Sequence, residues 1–118
     1  MSQRTAKLYI EDILTSINKI GKYTKNMDFN SFNENELVID AVIRNLEVIG
    51  EAAKYLPDKI REKYPNLPWK RIIGLRNIAI HKYFSTDLPL IWKILTENIP
   101  ETKKGILAIK EDLSSKND

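Results

Sequence analysis

The chain has 118 residues, 42% hydrophobic and 30% charged, which is the composition of one ordinary globular domain. It contains no cysteine and a single histidine, so disulfides, zinc–thiolate sites, thiol nucleophiles and a histidine-rich metal cage within one chain are excluded. The formal net charge of +3 permits a polyanionic partner without requiring one. We therefore expect one domain over residues 1–118, without metal or cofactor.

The chain also lacks the signals of a membrane or exported protein. No apolar run approaches the ~20 residues that a membrane helix needs. The first seven residues lead into an amphipathic segment rather than the apolar stretch of a signal peptide. These features, with the lack of cysteine, predict a cytoplasmic protein with no membrane contact.

Two long helices are predicted in the first half of the chain. The first has apolar residues at steps of three and four, namely Ala6, Ile10, Ile13, Leu14, Ile17 and Ile20. Gly21 marks its end, and the polar residues 26–35 indicate a loop. The second helix, over residues 36–56, carries a main apolar stripe and a flanking stripe of Val38, Ala41, Val48 and Ala52. Two stripes indicate burial on two sides, one against the bundle and one against a candidate partner subunit.

The second half of the chain is also predicted to be helical. Pro57 opens a short helix, and Trp69 begins a helix that extends to about Ile80. A capping segment at residues 85–87 precedes another helix, and Pro100 interrupts that pattern and starts the last one. Residues 114–118 are polar and are expected to be a frayed tail. With no alternating strand pattern, the fold class is all-α, an up-and-down bundle of about five to six helices.

The residues that carry chemistry are concentrated in positions 74–83. Arg76, Asn77, His81 and Tyr83 lie within eight residues of an otherwise apolar helix. Asn77 and His81 share a face, whereas Arg76 and His81 are about 140° apart on a regular helix. Those two side chains meet if the helix ends or distorts near His81, if the arginine wraps around it, or if a second chain contributes its own copy.

This set of side chains suits phosphodiester chemistry on RNA. A neutral imidazole accepts the proton of a ribose 2′-hydroxyl, since its ordinary pKa is near 6.5. A guanidinium binds the phosphate and the charge that develops on it, and Asn77 orients the imidazole or donates to a phosphate oxygen. Metal-free cleavage also benefits from a general acid. With one histidine per chain, a histidine acid–base nuclease is therefore predicted to be a symmetric dimer.

A structural explanation of the same residues remains open at this point. A lone histidine near an arginine and an asparagine is often only a hydrogen-bonded structural residue. Glu51 is either an exposed helical carboxylate or, if buried, a group that needs a partner, for which Arg76 is the obvious candidate.

The order and spacing of several motifs resemble the HEPN-domain family. Residues 76–81 match its R-x4-H pattern, and Tyr83 extends the match to the R-x4-H-x-Y of HepT-like toxins. Residues 45–53, 65–69 and 74–77 resemble the Ile-Gly-Glu-Ala, Pro-x-x-Pro-Trp and Gly-x-Arg-Asn segments of that family. Together these similarities cover about residues 40–100.

The resemblance implies a specific fold, activity and set of site residues. HEPN proteins are small helical bundles, and HepT-like members are dimers whose two motifs face each other across a shared cleft. Active members are metal-independent endoribonucleases that leave 2′,3′-cyclic phosphate and 5′-hydroxyl ends. By position, His81 is then the general acid or base, Arg76 the phosphate binder and Asn77 an accessory residue. Glu51 is expected near the site, where it orients Arg76.

The resemblance also implies a partner. Such toxins belong to type VII-like toxin–antitoxin pairs, in which a minimal nucleotidyltransferase antitoxin modifies a tyrosine with AMP. Tyr83 is the matching position in this chain. The alternative function is a non-catalytic binding subunit that docks the nucleotidyltransferase.

Overall fold

The computed structural model describes residues 5–85 and 87–116, and the side chains of residues 81–85 and 116 lie outside the described part. Its helices are α1 (Ala6–Tyr23), α2 (Phe29–Asn33), α3 (Glu36–Tyr55), α4 (Asp58–Lys63), α5 (Trp69–Ser85), α6 (Leu88–Lys93) and α7 (Ile99–Lys116). A π-helical turn, Ile94–Asn98, joins α6 to α7. The described residues contain no strand, and the all-α prediction is confirmed.

The two long helices of the first half form as their sequence patterns predict. Thr5 caps α1 by accepting from the Leu8 N–H, and Asn35 caps α3 by accepting from the Val38 N–H at 3.0 Å. The apolar stripe of α1 is buried from Ile10 to Ile20. The helix extends to Tyr23, two residues past the predicted end at Gly21.

Helix α3 is covered on two sides by its own chain. It packs against α1 on one side and α5 on the other. Its main stripe is buried from Val42 to Ala53 and contributes to one continuous core, whereas Ile39 and three residues of the flanking stripe, Val38, Ala41 and Val48, are half-buried. Helices α1 and α5 thus supply contacts on two sides of α3, and the expectation that a partner subunit covers the half-buried flanking stripe stays a prediction.

The stretch predicted as a loop contains a short helix, α2. Asp28 accepts from the Ser31 N–H at 2.8 Å, and the Ser31 hydroxyl accepts from the Asp28 N–H at 3.0 Å, which completes a reciprocal capping box. Phe32 is fully buried, with its ring 5.1 Å from that of Trp92. Capping and one buried aromatic ring stabilise this helix, although it is too short to show an apolar period.

The interruption predicted at Pro100 takes the form of a π-helical turn. Proline has no N–H, and its ring clashes with the carbonyl four residues earlier in a regular α-helix. The Ile99 N–H donates to the Ile94 carbonyl, five residues back, so the backbone stays helical through the proline. Helix α7 then extends to Lys116, into the stretch expected to be frayed, and residues 117–118 lie outside the described part.

Polar contacts join the short helix α4 to its neighbours. Arg61 donates to the carbonyls of Ala53 and Lys54, at 3.2 and 3.0 Å, and so caps the end of α3. The Trp69 indole donates to the Tyr64 carbonyl at 2.9 Å, and the Tyr64 hydroxyl donates to Asp112 on α7.

In the described part, no helix is long and apolar enough to cross a membrane.

Candidate functional site

The candidate site begins where α3 and α5 approach each other most closely. A β-carbon added at Gly50 would lie 2.5 Å from the backbone nitrogen of Arg76 and 2.9 Å from the carbonyl oxygen of Ile73. Only glycine therefore fits at this position, because any side chain would overlap the backbone of α5. The contact sets the register of the two helices and brings the next residue of α3, Glu51, to the side chain of Arg76.

Glu51 and Arg76 form an ion pair across the two helices. The contact joins the Glu51 Oε1 and the Arg76 Nε, and the side chains are 37% and 40% exposed. The Nε atom is buried, and its N–H has no aligned acceptor among the described residues, so the contact is electrostatic rather than an aligned hydrogen bond. The structure thus contains the partnership expected from the sequence, while its role in a site stays a prediction.

The two edges of the Arg76 guanidinium differ in their contacts with the described part of the chain. Because Nε is buried, the exposed surface of Arg76 belongs to its other atoms. In the described part of the chain, no protein group accepts a hydrogen bond from the two terminal amino groups of Arg76. Those two amino groups have the geometry that binds two oxygens of one phosphate.

The remaining predicted site residues lie further along α5. Asn77 is exposed, as a residue that contacts a ligand or an adjacent imidazole needs to be. His81 and Tyr83 belong to α5, but their side chains lie outside the described residues. The backbone is α-helical from position 76 to position 81, so the two positions are about 140° apart. Of the three ways in which the two side chains could meet, a helix end or distortion between these positions is not observed, and a wrapping arginine or a second chain remains.

A groove that the sequence did not indicate lies beside Glu51, between α1 and α3. It has a volume of about 320 Å³, and its lining includes Glu51, Arg44, Tyr9 and Tyr55. The rings of Tyr9 and Tyr55 are stacked with centroids 6.5 Å apart, and Tyr55 is 57% exposed. The only sequence signal for this groove is an aromatic residue at the polar end of α3.

Gly50 is the second feature whose role sequence reasoning missed. A glycine in the middle of an otherwise apolar helix is the available signal, since it indicates a close backbone approach.

Among the described residues, no group of three or more acidic or histidine side chains is placed to hold a metal ion.

Comparison with known proteins gives consistent matches over most of the chain. A family model described as "Ribonuclease HepT-like" matches residues 13–109. "Putative RNase MJ1380" of Methanocaldococcus jannaschii is 50% identical over 106 residues, which is 90% of this chain and 97% of the relative. "Putative RNase MJ0125" of the same organism is 44% identical over 116 residues, or 98% and 100% of the two chains.

A third relative carries the family name itself. "Probable ribonuclease HepT" of Thermococcus cleftensis is 38% identical over 101 residues, which is 86% of this chain and 92% of the relative. No solved structure matches the chain at a significant level.

Proposed function

The chain belongs to the HepT-like ribonuclease family, and on that premise we propose that it is a metal-independent endoribonuclease. The observation that carries the proposal is the arrangement of Arg76. Glu51 holds its Nε edge, and the terminal amino groups have no protein acceptor among the described residues. A guanidinium held in this way is prepared to bind a phosphate and the negative charge that grows on it during cleavage.

The proposed reaction is an internal transesterification of RNA. His81 takes the proton from a ribose 2′-hydroxyl, and the 2′-oxygen attacks the adjacent phosphorus. The bond from phosphorus to the 5′-oxygen breaks, and a general acid protonates that oxygen. The products are a 2′,3′-cyclic phosphate and a 5′-hydroxyl, and Arg76 stabilises the extra negative charge in the transition state.

A homodimer would supply the second catalytic histidine. The chain has one histidine, whereas the reaction uses both a base and an acid. In a symmetric dimer whose two α5 helices line a shared cleft, His81 of one protomer acts as base and its copy acts as acid. The 140° between positions 76 and 81 supports this arrangement, because an arginine of one chain and a histidine of the other can then face one phosphate.

We further propose that the protein is the toxin of a type VII-like toxin–antitoxin pair and acts on cytoplasmic RNA. Its partner would be a minimal nucleotidyltransferase that transfers AMP to the Tyr83 hydroxyl. Tyr83 is seven residues after Arg76, which places both positions on one side of α5. An AMP group there would put a phosphate beside Arg76 and compete with RNA for it.

The test is cleavage of RNA by the purified protein in EDTA. The unaltered protein should cleave and leave cyclic phosphate ends, and Arg76→Ala and His81→Ala should each lower the rate by at least about 100-fold. Lys110→Ala is the control, because Lys110 is an exposed cation on α7, outside the two helices that carry Glu51 and Arg76. Its rate should equal that of the unaltered protein.

Two outcomes would overturn the proposal. Equal cleavage by His81→Ala and the unaltered protein would identify a contaminating nuclease. No cleavage by a folded protein whose intact mass shows no AMP addition would favour the binding subunit that docks a nucleotidyltransferase.

A further inference from the structure

Residues 54–71, which connect the end of α3 to the first turn of α5, are rich in positive charge. This segment, which we call the basic end, contains six lysine and arginine residues and two acidic residues, a net charge of +4. The net charge of the whole chain is +3, so the remaining residues together sum to −1. A concentration of charge of this kind attracts polyanions to one part of the surface.

Most of these cations have no acidic partner in the part of the chain that the structure describes. Arg61 is the exception, because it caps α3 and pairs with Asp58. The other five cations are all exposed and have no acidic partner in the described part of the chain; they are Lys54, Lys59, Lys63, Lys70 and Arg71. Their charges remain available to a ligand.

An exposed aromatic ring accompanies these cations. Tyr55 is 57% exposed, and its ring lies over that of Tyr9 at an interplanar angle of 25°. The Lys54 Nζ is 5.9 Å from the centroid of the Tyr55 ring. Flat aromatic surface beside unpaired cations is the combination that binds single-stranded nucleic acid, through base stacking and phosphate contacts.

The geometry of α5 connects the basic end with the proposed cleavage site. Positions 70, 77 and 81 fall within about 40° of one another on a regular helix, with position 70 about 10 Å along the axis from position 77. Gly74 lies between them on this face, and a β-carbon there would have no atom within 4 Å. The exposed face of α5 is therefore open between Lys70 and Asn77. On α3, Tyr55 is one turn beyond Glu51.

We propose that the basic end binds single-stranded RNA outside the cleavage site. Lys59, Lys63 and Lys70 contact consecutive phosphates, and Tyr55 stacks on a base. The strand then follows the exposed face of α5 towards the R-x4-H motif. This inference rests on the proposed function, which identifies the cleaved strand as RNA. It adds the surface of the protein that holds this strand.

The test compares two triple variants that remove the same charge. Lys59→Gln, Lys63→Gln and Lys70→Gln neutralise the basic end. Lys7→Gln, Lys22→Gln and Lys110→Gln neutralise three exposed lysines of α1 and α7 as the control. Glutamine and lysine have similar helix propensities, so both triples should fold. Binding of a fluorescent single-stranded RNA of about 16 nucleotides is measured against salt, with His81→Ala present in every protein to prevent cleavage.

The expected result is a selective loss in the first triple variant. Three lost phosphate contacts reduce the slope of log affinity against log salt by about 2, which corresponds to about 100-fold weaker binding at 0.1 M salt. The control triple should change the slope by much less. Tyr55→Ala should weaken binding by roughly 5- to 150-fold, whereas Tyr55→Phe, which keeps the ring, should bind nearly as tightly as the unaltered protein.

The outcomes separate this inference from the proposed function. Equal salt slopes for the two triples would overturn the basic end as an RNA site, and an acidic protein partner would become its better ligand, even if the protein cleaves RNA. Selective loss of binding in a protein that does not cleave would retain the RNA site and overturn the nuclease. In the active background, the first triple should raise the KM for long RNA with little change in kcat.

Discussion

The substitution Gly50→Ala tests whether the close approach of α3 and α5 holds the candidate site together. An alanine β-carbon would lie 2.5 Å from the Arg76 nitrogen, 2.9 Å from the Arg76 Cβ and 2.9 Å from the Ile73 oxygen. Two of these three atoms belong to the backbone of α5, so relief requires the two helices to separate. The same substitution raises helix propensity, and the two effects therefore oppose each other.

The steric effect should prevail at this position. Alanine stabilises a helix interior by about 1 kcal/mol relative to glycine. Overpacking costs about 1–3 kcal/mol, and the upper part of that range applies because the atoms in the way are backbone. We expect Gly50→Ala to lower the free energy of unfolding by about 1–2 kcal/mol, and to lower cleavage further because Arg76 moves relative to Glu51.

The chain provides its own controls for this prediction. Gly21 and Gly74 are helical glycines with no atom within 4 Å of an added β-carbon, so their alanine variants should gain about 0.5–1 kcal/mol. At Gly105 the nearest atoms are the flexible end of the Leu67 side chain, which predicts an intermediate effect. Urea unfolding measures the four variants, and a Gly50→Ala variant as stable as Gly74→Ala would refute the reasoning.

Three further predictions concern polar contacts of the fold and the site. Burial, together with the hydrogen bond to Asp112, raises the pKa of Tyr64 from 10.0 to about 12. The neutral hydroxyl therefore stabilises the fold fully below pH 10, and this stabilisation is lost as the pH rises towards 12. Urea midpoints should therefore fall between pH 10 and 12 in the unaltered protein and fall less in Tyr64→Phe. Arg61→Gln removes the cap of α3 and should cost about 1–2 kcal/mol in thermal unfolding, whereas Lys59→Gln, two residues earlier on α4, should cost almost nothing. Glu51→Gln should change stability by less than about 1 kcal/mol but lower kcat for RNA by about 10- to 100-fold, and an effect no larger than that of Glu47→Gln would contradict the positioning role.

The sequence predicts those parts of the fold that depend on local periodicity. The stripes of α1 and α3 repeat over five turns each, and their buried residues follow that repeat. Helix α2 has only five residues, and its stability depends on the burial of Phe32 against Trp92, a contact distant in sequence. The π-helical turn before Pro100 likewise cannot be predicted from the α-helical spacing of apolar residues.

For the candidate site, the sequence predicts the chemistry of the side chains but not their arrangement in space. Arginine, asparagine and histidine near one another indicate phosphate chemistry from residue type alone. The pairing of Arg76 with Glu51 was inferred because a carboxylate in an apolar helix needs a partner. The register of α3 and α5 that brings Glu51 to Arg76 depends on Gly50. The distance between two helices cannot be predicted from a local sequence pattern. The roles of His81 and Tyr83 stay predictions from the motif.

The Glu51–Arg76 pair is too exposed to contribute much stability, which fits the positioning role proposed for it. Both side chains are more than a third exposed, so their attraction is screened and adds little to the free energy of unfolding. In the proposed role, Glu51 orients the Arg76 guanidinium, while the close approach at Gly50 sets which part of α3 faces Arg76. Each element is effective only while the other is intact, because a displaced Arg76 gains nothing from the Glu51 charge. The effects of Gly50→Ala and Glu51→Gln should therefore add in stability but not in kcat, where the double variant should be scarcely slower than the slower single variant. Additive losses in kcat would mean that the two residues act on the site independently.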